Sequence, residues 1–235
     1  MRRRSMVLSA AAALVLQLTA PAWSQEGPTC GPPGEEVPVT IVGEGKITGT
    51  RGVDVILGSD GEDRILGLGS DDVICAGDGN DRVDGGPGDD AVVGDGLESL
   101  PFAPSNGNND DRLTGGPGDD VLAGLGGDDE LEGGPGADRL IGFGGEDHID
   151  GGPDDDIGLG GPLDDRIAGG PGADSLWGNF GSDRINGGSG DDLVDGDNNN
   201  PVPPELPFPP GGNDDRCSGD AGNDTVLNCE RVDGR

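Results

Sequence analysis

The residue type with the strongest claim to chemistry in this chain is aspartate, and its spacing tells more than its abundance. From Gly49 the sequence divides into units of nine: GTRGVDVIL, GSDGEDRIL, GLGSDDVIC, AGDGNDRVD and GGPGDDAVV. After an irregular stretch the units resume at Asn106 and run without a break to Asp195. Two more, PGGNDDRCS and GDAGNDTVL, bring the total to 17 complete units. All 17 carry aspartate at the sixth position. Each aspartate closes a stretch of the form G-G-x-G-x-D, in which glycines adopt backbone angles closed to other residues. Such a turn aims several carbonyl oxygens inward while its aspartate adds a carboxylate. That donor set suits a hard cation: calcium takes six to eight oxygens at about 2.3–2.6 Å, and two neighbouring turns can supply them jointly.

The elements that would hold these turns follow from the last three positions of each unit. Fifteen of the 17 units carry Ile, Leu or Val at position eight, the exceptions being Gly158 and Cys217. Side chains of a strand alternate between its faces, so position eight points inward while positions seven and nine face solvent. Seven residues at position seven are arginine (Arg64, Arg82, Arg112, Arg139, Arg166, Arg184 and Arg216), as an outward face predicts. Gly-Gly turns at Gly115, Gly133, Gly151, Gly169 and Gly187 recur every second unit, with turns such as Gly124, Gly142 and Gly178 between them. The resulting 18-residue period predicts two units per coil. Successive strands then lie on opposite faces of a flattened right-handed parallel roll, with turns stacked in two rows along its edges. A cation would sit between turn n and turn n+2.

The units resemble the G-G-x-G-x-D-x-U-x repeat of hemolysin-type, or RTX, calcium-binding proteins, over roughly residues 40 to 232. The resemblance implies an all-β fold, a right-handed parallel β-roll (a β-solenoid) that orders when calcium binds. It also implies calcium ligands at Asp54, Asp63, Asp72, Asp81, Asp90, Asp111, Asp120, Asp129, Asp138, Asp147, Asp156, Asp165, Asp174, Asp183, Asp192, Asp215 and Asp224, with backbone carbonyls completing each shell. Pairing complete turns gives about 13 calcium ions. Asp154 and Leu163 replace the glycine at position four, which predicts distorted turns and weaker calcium there, and Gly158 predicts a gap in the core beneath them.

Composition agrees with a solenoid rather than an ordinary globule. The 235 residues include 50 glycines, only 3% aromatics and a formal net charge of −33. Such charge with low hydrophobicity would read as disorder, except that a disordered tract has no reason to keep the nine-residue register. Excess carboxylate repels nucleic-acid phosphates and anionic membranes, so cations are the expected partners, nucleic acid is not, and the chain is expected to be a monomer. Residues 1–24 read as a signal peptide: Arg2–Arg4 form its basic region, Met6 to Leu18 its apolar region, and Ala20-Pro21-Ala22 a small-residue cleavage site. No later segment is apolar enough to span a bilayer, so a secreted, extracellular protein is expected.

The expected organisation is 25–48 as an N-terminal segment and cap, 49–227 as the roll, and 228–235 as a C-terminal cap. The irregular stretches near 97–105 and 198–209 interrupt the rows of turns. Each contains Leu-Pro-Phe-x-Pro (Leu100 to Pro104 and Leu206 to Pro210) followed by Asn-Asp-Asp-Arg. They read either as tolerated surface loops or as insertions presenting Phe102 and Phe208 to an extracellular protein or surface partner. Four cysteines in an exported chain favour disulfides. Cys30 precedes an apolar segment, Val37 to Val42, that could cover the first coil, and Cys75 sits where it could tether that segment. Cys217 lies in the last coils and Cys229 in the tail, so the favoured pairs are Cys30–Cys75 and Cys217–Cys229, stapling the two ends. No nucleophile–base arrangement is recognisable, and His148 is read as a solvated strand residue. The reading is of a non-catalytic calcium-binding module.

Overall fold

Short strands, of two to six residues in the two main sheets and joined by tight glycine-rich turns, leave the chain little choice but to stack coil upon coil. The computed structural model describes residues 29–30, 37–95, 109–197, 215–229 and 231–233. The N-terminal segment read as a signal peptide and both Leu-Pro-Phe-x-Pro motifs lie outside the described residues. The described chain is all strand and turn, with two ten-stranded parallel sheets that take alternate strands. One begins at Ile41–Val42 and continues through Val55–Leu57, Val73–Cys75 and every second strand to Thr225–Leu227; it is called here the Ile41 sheet. The other, the Lys46 sheet, runs from Lys46–Thr48 through Arg64–Leu66 to Arg231–Asp233. Register follows the 18-residue period, as in Leu122 against Leu140 and Leu131 against Ile149.

Position eight fills the space between the sheets. Ile56, Ile65, Ile74, Leu113, Leu122, Leu131, Leu140 and Ile149 are wholly buried and belong to one continuous cluster running from Ile47 to Cys217. Burying each such aliphatic side chain contributes about 1.5–3 kcal/mol. The core is one side chain thick from each sheet, so every coil depends on its two neighbours.

Gly158 does not leave the gap its position suggests. A Cβ there would already lie 3.0 Å from Leu176 and 3.1 Å from Ile167, because these neighbours close over the missing side chain. Nor do the insertions break the stack. Arg82 pairs with Arg112, and Arg184 with Arg216, in the same register as strands 18 residues apart.

The ends are stapled by the expected disulfides, Cys30–Cys75 with a Cα–Cα distance of 5.9 Å and Cys217–Cys229 with 6.1 Å. Thr29–Cys30 pairs antiparallel with Val37–Pro38. Cys75, although at outward position nine, is buried with Cys30. The two outer faces are unlike. The Ile41 sheet presents Val55, Val73 and Ile157 at position seven, whereas the Lys46 sheet presents mainly arginine there.

Because the core has closed over Gly158, restoring the repeat's usual aliphatic there overpacks it. Gly158→Leu is expected to lower stability in saturating calcium by about 1–3 kcal/mol, measured by urea unfolding. A stabilised variant would mean that the gap exists after all.

Candidate metal-binding turns

Each turn is fixed by the strands on either side, and its position-six aspartate is the last residue before the chain re-enters a sheet. The 17 aspartates therefore form two rows. One precedes strands of the Ile41 sheet (Asp54, Asp72, Asp90 and so on to Asp224), the other strands of the Lys46 sheet (Asp63, Asp81, Asp111 and so on to Asp215). All 17 sequence-predicted ligands are linked within these rows by 15 copies of one hydrogen bond. The backbone N–H of each aspartate donates to Oδ1 of the aspartate one coil later: Asp54 to Asp72 at 2.8 Å, Asp120 to Asp138 at 2.8 Å, Asp147 to Asp165 at 2.8 Å. Asp224, the last in its row, accepts from Asp192 at 3.2 Å. The rows run through both insertions, with Asp81 donating to Asp111 and Asp183 to Asp215.

The second carboxylate oxygen is the anomaly. Fourteen of these side chains, from Asp72 to Asp215, hold Oδ2 buried with no hydrogen-bond partner. A buried unpartnered carboxylate oxygen is costly, and a regular file of them calls for a counter-charge. Burial, reinforced by neighbouring carboxylates, pushes Asp111 and Asp120 up to about 8 and Asp129 and Asp165 up to about 9, from an ordinary 3.8. The same burial raises Asp81, Asp90, Asp138, Asp147 and Asp156 to about 7. The first two turns differ. Asp54 Oδ2 accepts the Thr50 N–H at 2.5 Å and Asp63 Oδ2 the Ser59 N–H at 2.6 Å, so their carboxylates are already satisfied.

Carbonyl oxygens complete the donor set. Between the turns at Gly115 and Gly133, inter-coil hydrogen bonds are accepted by Gly133 and Pro135, while the Gly116 and Gly118 carbonyls accept none among the described residues. These carbonyls point at the next coil, where a Cβ on Gly134 or Gly136 would collide with them. Positive φ at Gly134 (111°) and Gly136 (137°) reinforces the need for glycine. No cluster of three or more His, Cys, Asp or Glu side chains converges on one point among the described residues. A bound ion would accordingly be held by carbonyls and a few carboxylate oxygens, an all-oxygen set that fits calcium and suits neither zinc nor copper.

The turns at Asp154 and Leu163 keep their shape. Both residues take positive φ, 88° and 80°, and Asp154 N–H still donates to Pro171 O at 2.8 Å. The adjoining Asp156 and Asp165 stay in their rows. The absent glycine is met by strain on a side-chain-bearing residue rather than by distortion.

Two carboxylate sets escaped the sequence reading. Position-five acids form an outer rail in the opposite direction: Asp128 Oδ1 accepts from Glu146 N–H and Asp155 Oδ1 from Ala173 N–H, both at 2.8 Å. The frequent Asp-Asp pairs were the available signal. Asp95, wholly buried at the mouth of the first insertion, accepts from Asn109 Nδ2 and Gly126 N–H. Burial raises it to about 6. The Gly-Asp that opens both insertions (Gly94-Asp95 and Gly196-Asp197) hinted at it.

A parallel solenoid with two turns per coil, an aspartate in each turn and glycine carbonyls aimed at the next coil defines a β-roll of the calcium-binding kind. The family model of the RTX calcium-binding nonapeptide repeat, in its four-copy form, matches residues 48–83, 70–96, 105–140, 124–157, 159–200 and 211–226. These matches cover well over half of the chain, which belongs to the RTX calcium-binding repeat family. No curated protein matches it.

The raised carboxylates fix the sign of a pH effect. Protonation stabilises the ion-free roll fully below the ordinary carboxylate range, and that contribution is lost as pH rises through about 6 to 9. In excess chelator, β-type circular dichroism is expected to be stronger at about pH 5 than at about pH 9. The calcium midpoint is expected to fall over the same rise, since ligands must deprotonate. Chelated β content that grew with pH would contradict both.

Proposed function

We propose that this chain is a secreted, non-catalytic calcium-binding module whose roll is assembled by about 13 calcium ions in two rows. The observation that carries the reading is the file of 14 buried Oδ2 atoms without partners. In each pair of turns the two aspartates of successive coils, with Gly116- and Gly118-type carbonyls, would form the shell. Calcium supplies the positive charge that turns stacked-carboxylate repulsion into attraction. Binding to the native state alone then draws the chain into the fold. Export is supported by the N-terminal pattern of residues 1–24 and by two disulfides, which persist in oxidising compartments. A non-catalytic role is supported by the exposed setting of His148 and by carboxylate pairs that calcium ligation already explains.

A second reading, surface attachment through the Leu-Pro-Phe-x-Pro insertions, has one observation in its favour. Both insertions open in turns of the Asp63 row, between a strand of the Ile41 sheet and one of the Lys46 sheet. The strands that flank them put both points of attachment on the same edge, five coils or about 24 Å apart at the usual strand spacing.

Calcium titration followed by circular dichroism tests the main reading. The β signal is expected to appear cooperatively with calcium and vanish in excess chelator at neutral pH. Asp129→Asn should raise the calcium midpoint several-fold, whereas Asp54→Asn, whose Oδ2 is already satisfied, should change it less than twofold. An equal β signal in chelator would sink the reading.

A further inference from the structure

Six of the seven position-seven arginines fall on the Lys46 sheet, and register puts them in single file. Lys46, Arg64, Arg82 and Arg112 stand side by side on successive strands. Glu130 and His148 follow, then Arg166, Arg184, Arg216 and Arg231. The chain has 14 Lys and Arg, three of them at Arg2–Arg4, and eight of the remaining eleven stand in this file. The equivalent file of the Ile41 sheet contains only Arg139.

Solvation alone does not explain the pattern. Strands lie about 4.8 Å apart, and like charges directly opposite one another destabilise a sheet. Mixed signs would solvate the face equally well and attract across it. Nor are most of the cations spent on internal pairs: Lys46, Arg64, Arg82, Arg166 and Arg184, five of the eight, have no ion pair among the described residues, while Arg112 meets Glu130 and Glu132. Calcium would sharpen the contrast, because Asp81 and Asp111, each next in sequence to a cation of the file, would be neutralised.

We propose that this file is a binding track for a linear anionic polysaccharide, whose carboxylate or sulfate groups are taken one per coil by the guanidinium forks. It rests on the calcium reading, since the file exists only where coils are stacked. Guanidinium matches planar and tetrahedral oxyanions bidentately. The track is one residue wide: Asp84, Glu132 and Asp150 line position nine beside it on the same face. A lipid surface would press against those acids as well as the cations. Duplex nucleic acid, with one charge per about 1.7 Å on two strands, would crowd them too. A single extended chain with an anion on each sugar avoids them. Glu130 and His148 split the file into two blocks of four cations, so affinity rises with ligand length as both blocks are engaged.

The test uses the full disulfide-bonded chain in saturating calcium, with folding verified by circular dichroism. The probes are polygalacturonate for carboxylate and dextran sulfate for sulfate. At least one is expected to bind, more weakly as salt rises. The quadruple variant Arg64→Gln/Arg82→Gln/Arg166→Gln/Arg184→Gln should lose at least tenfold in affinity at an unchanged calcium midpoint, and Arg139→Gln on the opposite face less than twofold. Calcium bridging between carboxylates would bind both variants alike, and that result overturns the proposal. So does a folded wild type that binds neither probe, or one that binds anionic vesicles or duplex DNA as tightly as the polysaccharides. Failure of the calcium reading looks different: chelated protein would show the same β signal and bind the probes equally well.

Discussion

Everything in this fold turns on carboxylates buried with one oxygen left over. Stacking the coils buries the position-six aspartates, and in fourteen of them, from Asp72 to Asp215, Oδ1 is used by the backbone while Oδ2 has no hydrogen-bond partner. The core cannot offset many such penalties, because each coil contributes only one aliphatic side chain per strand. A cation between turns would remove the cost and cross-link successive coils, as the proposed calcium rows require. The glycines, the carbonyls they uncover and the thin core make physical sense together on that basis.

The same stacking converts a one-dimensional sequence pattern into surfaces. Whatever stands at one position of alternate units becomes a file about 4.8 Å in pitch. On one sheet that produces a rank of cations beside a row of position-six aspartates, and on the other a largely aliphatic face. The molecule is thus acidic on average and basic along one line, a distinction that net charge conceals.

Much of this was legible in the residues. Unbroken register fixed the coil length, the strand alternation and the inward aliphatics, and both disulfides followed from where Cys30, Cys75, Cys217 and Cys229 fall relative to the coils. What escaped depends on neighbours in space. Gly158 looked like a hole because the reach of Leu176 and Ile167 is not written in its own unit. The insertions looked like interruptions because continuity of the aspartate rows is a property of strand pairing across them. The division of arginines between faces needed the odd and even units to be separated. Hydrogen bonding in the first two turns, which satisfies Asp54 and Asp63, depends on the Thr50 and Ser59 amides rather than on the aspartates.

Counting calcium ions on the folded chain tests the central claim most directly. Native mass spectrometry of the oxidised protein, compared with a urea-unfolded control at the same calcium concentration, should show about a dozen ions held by the folded form alone. One or two ions, or equal numbers on folded and unfolded chains, would contradict the account.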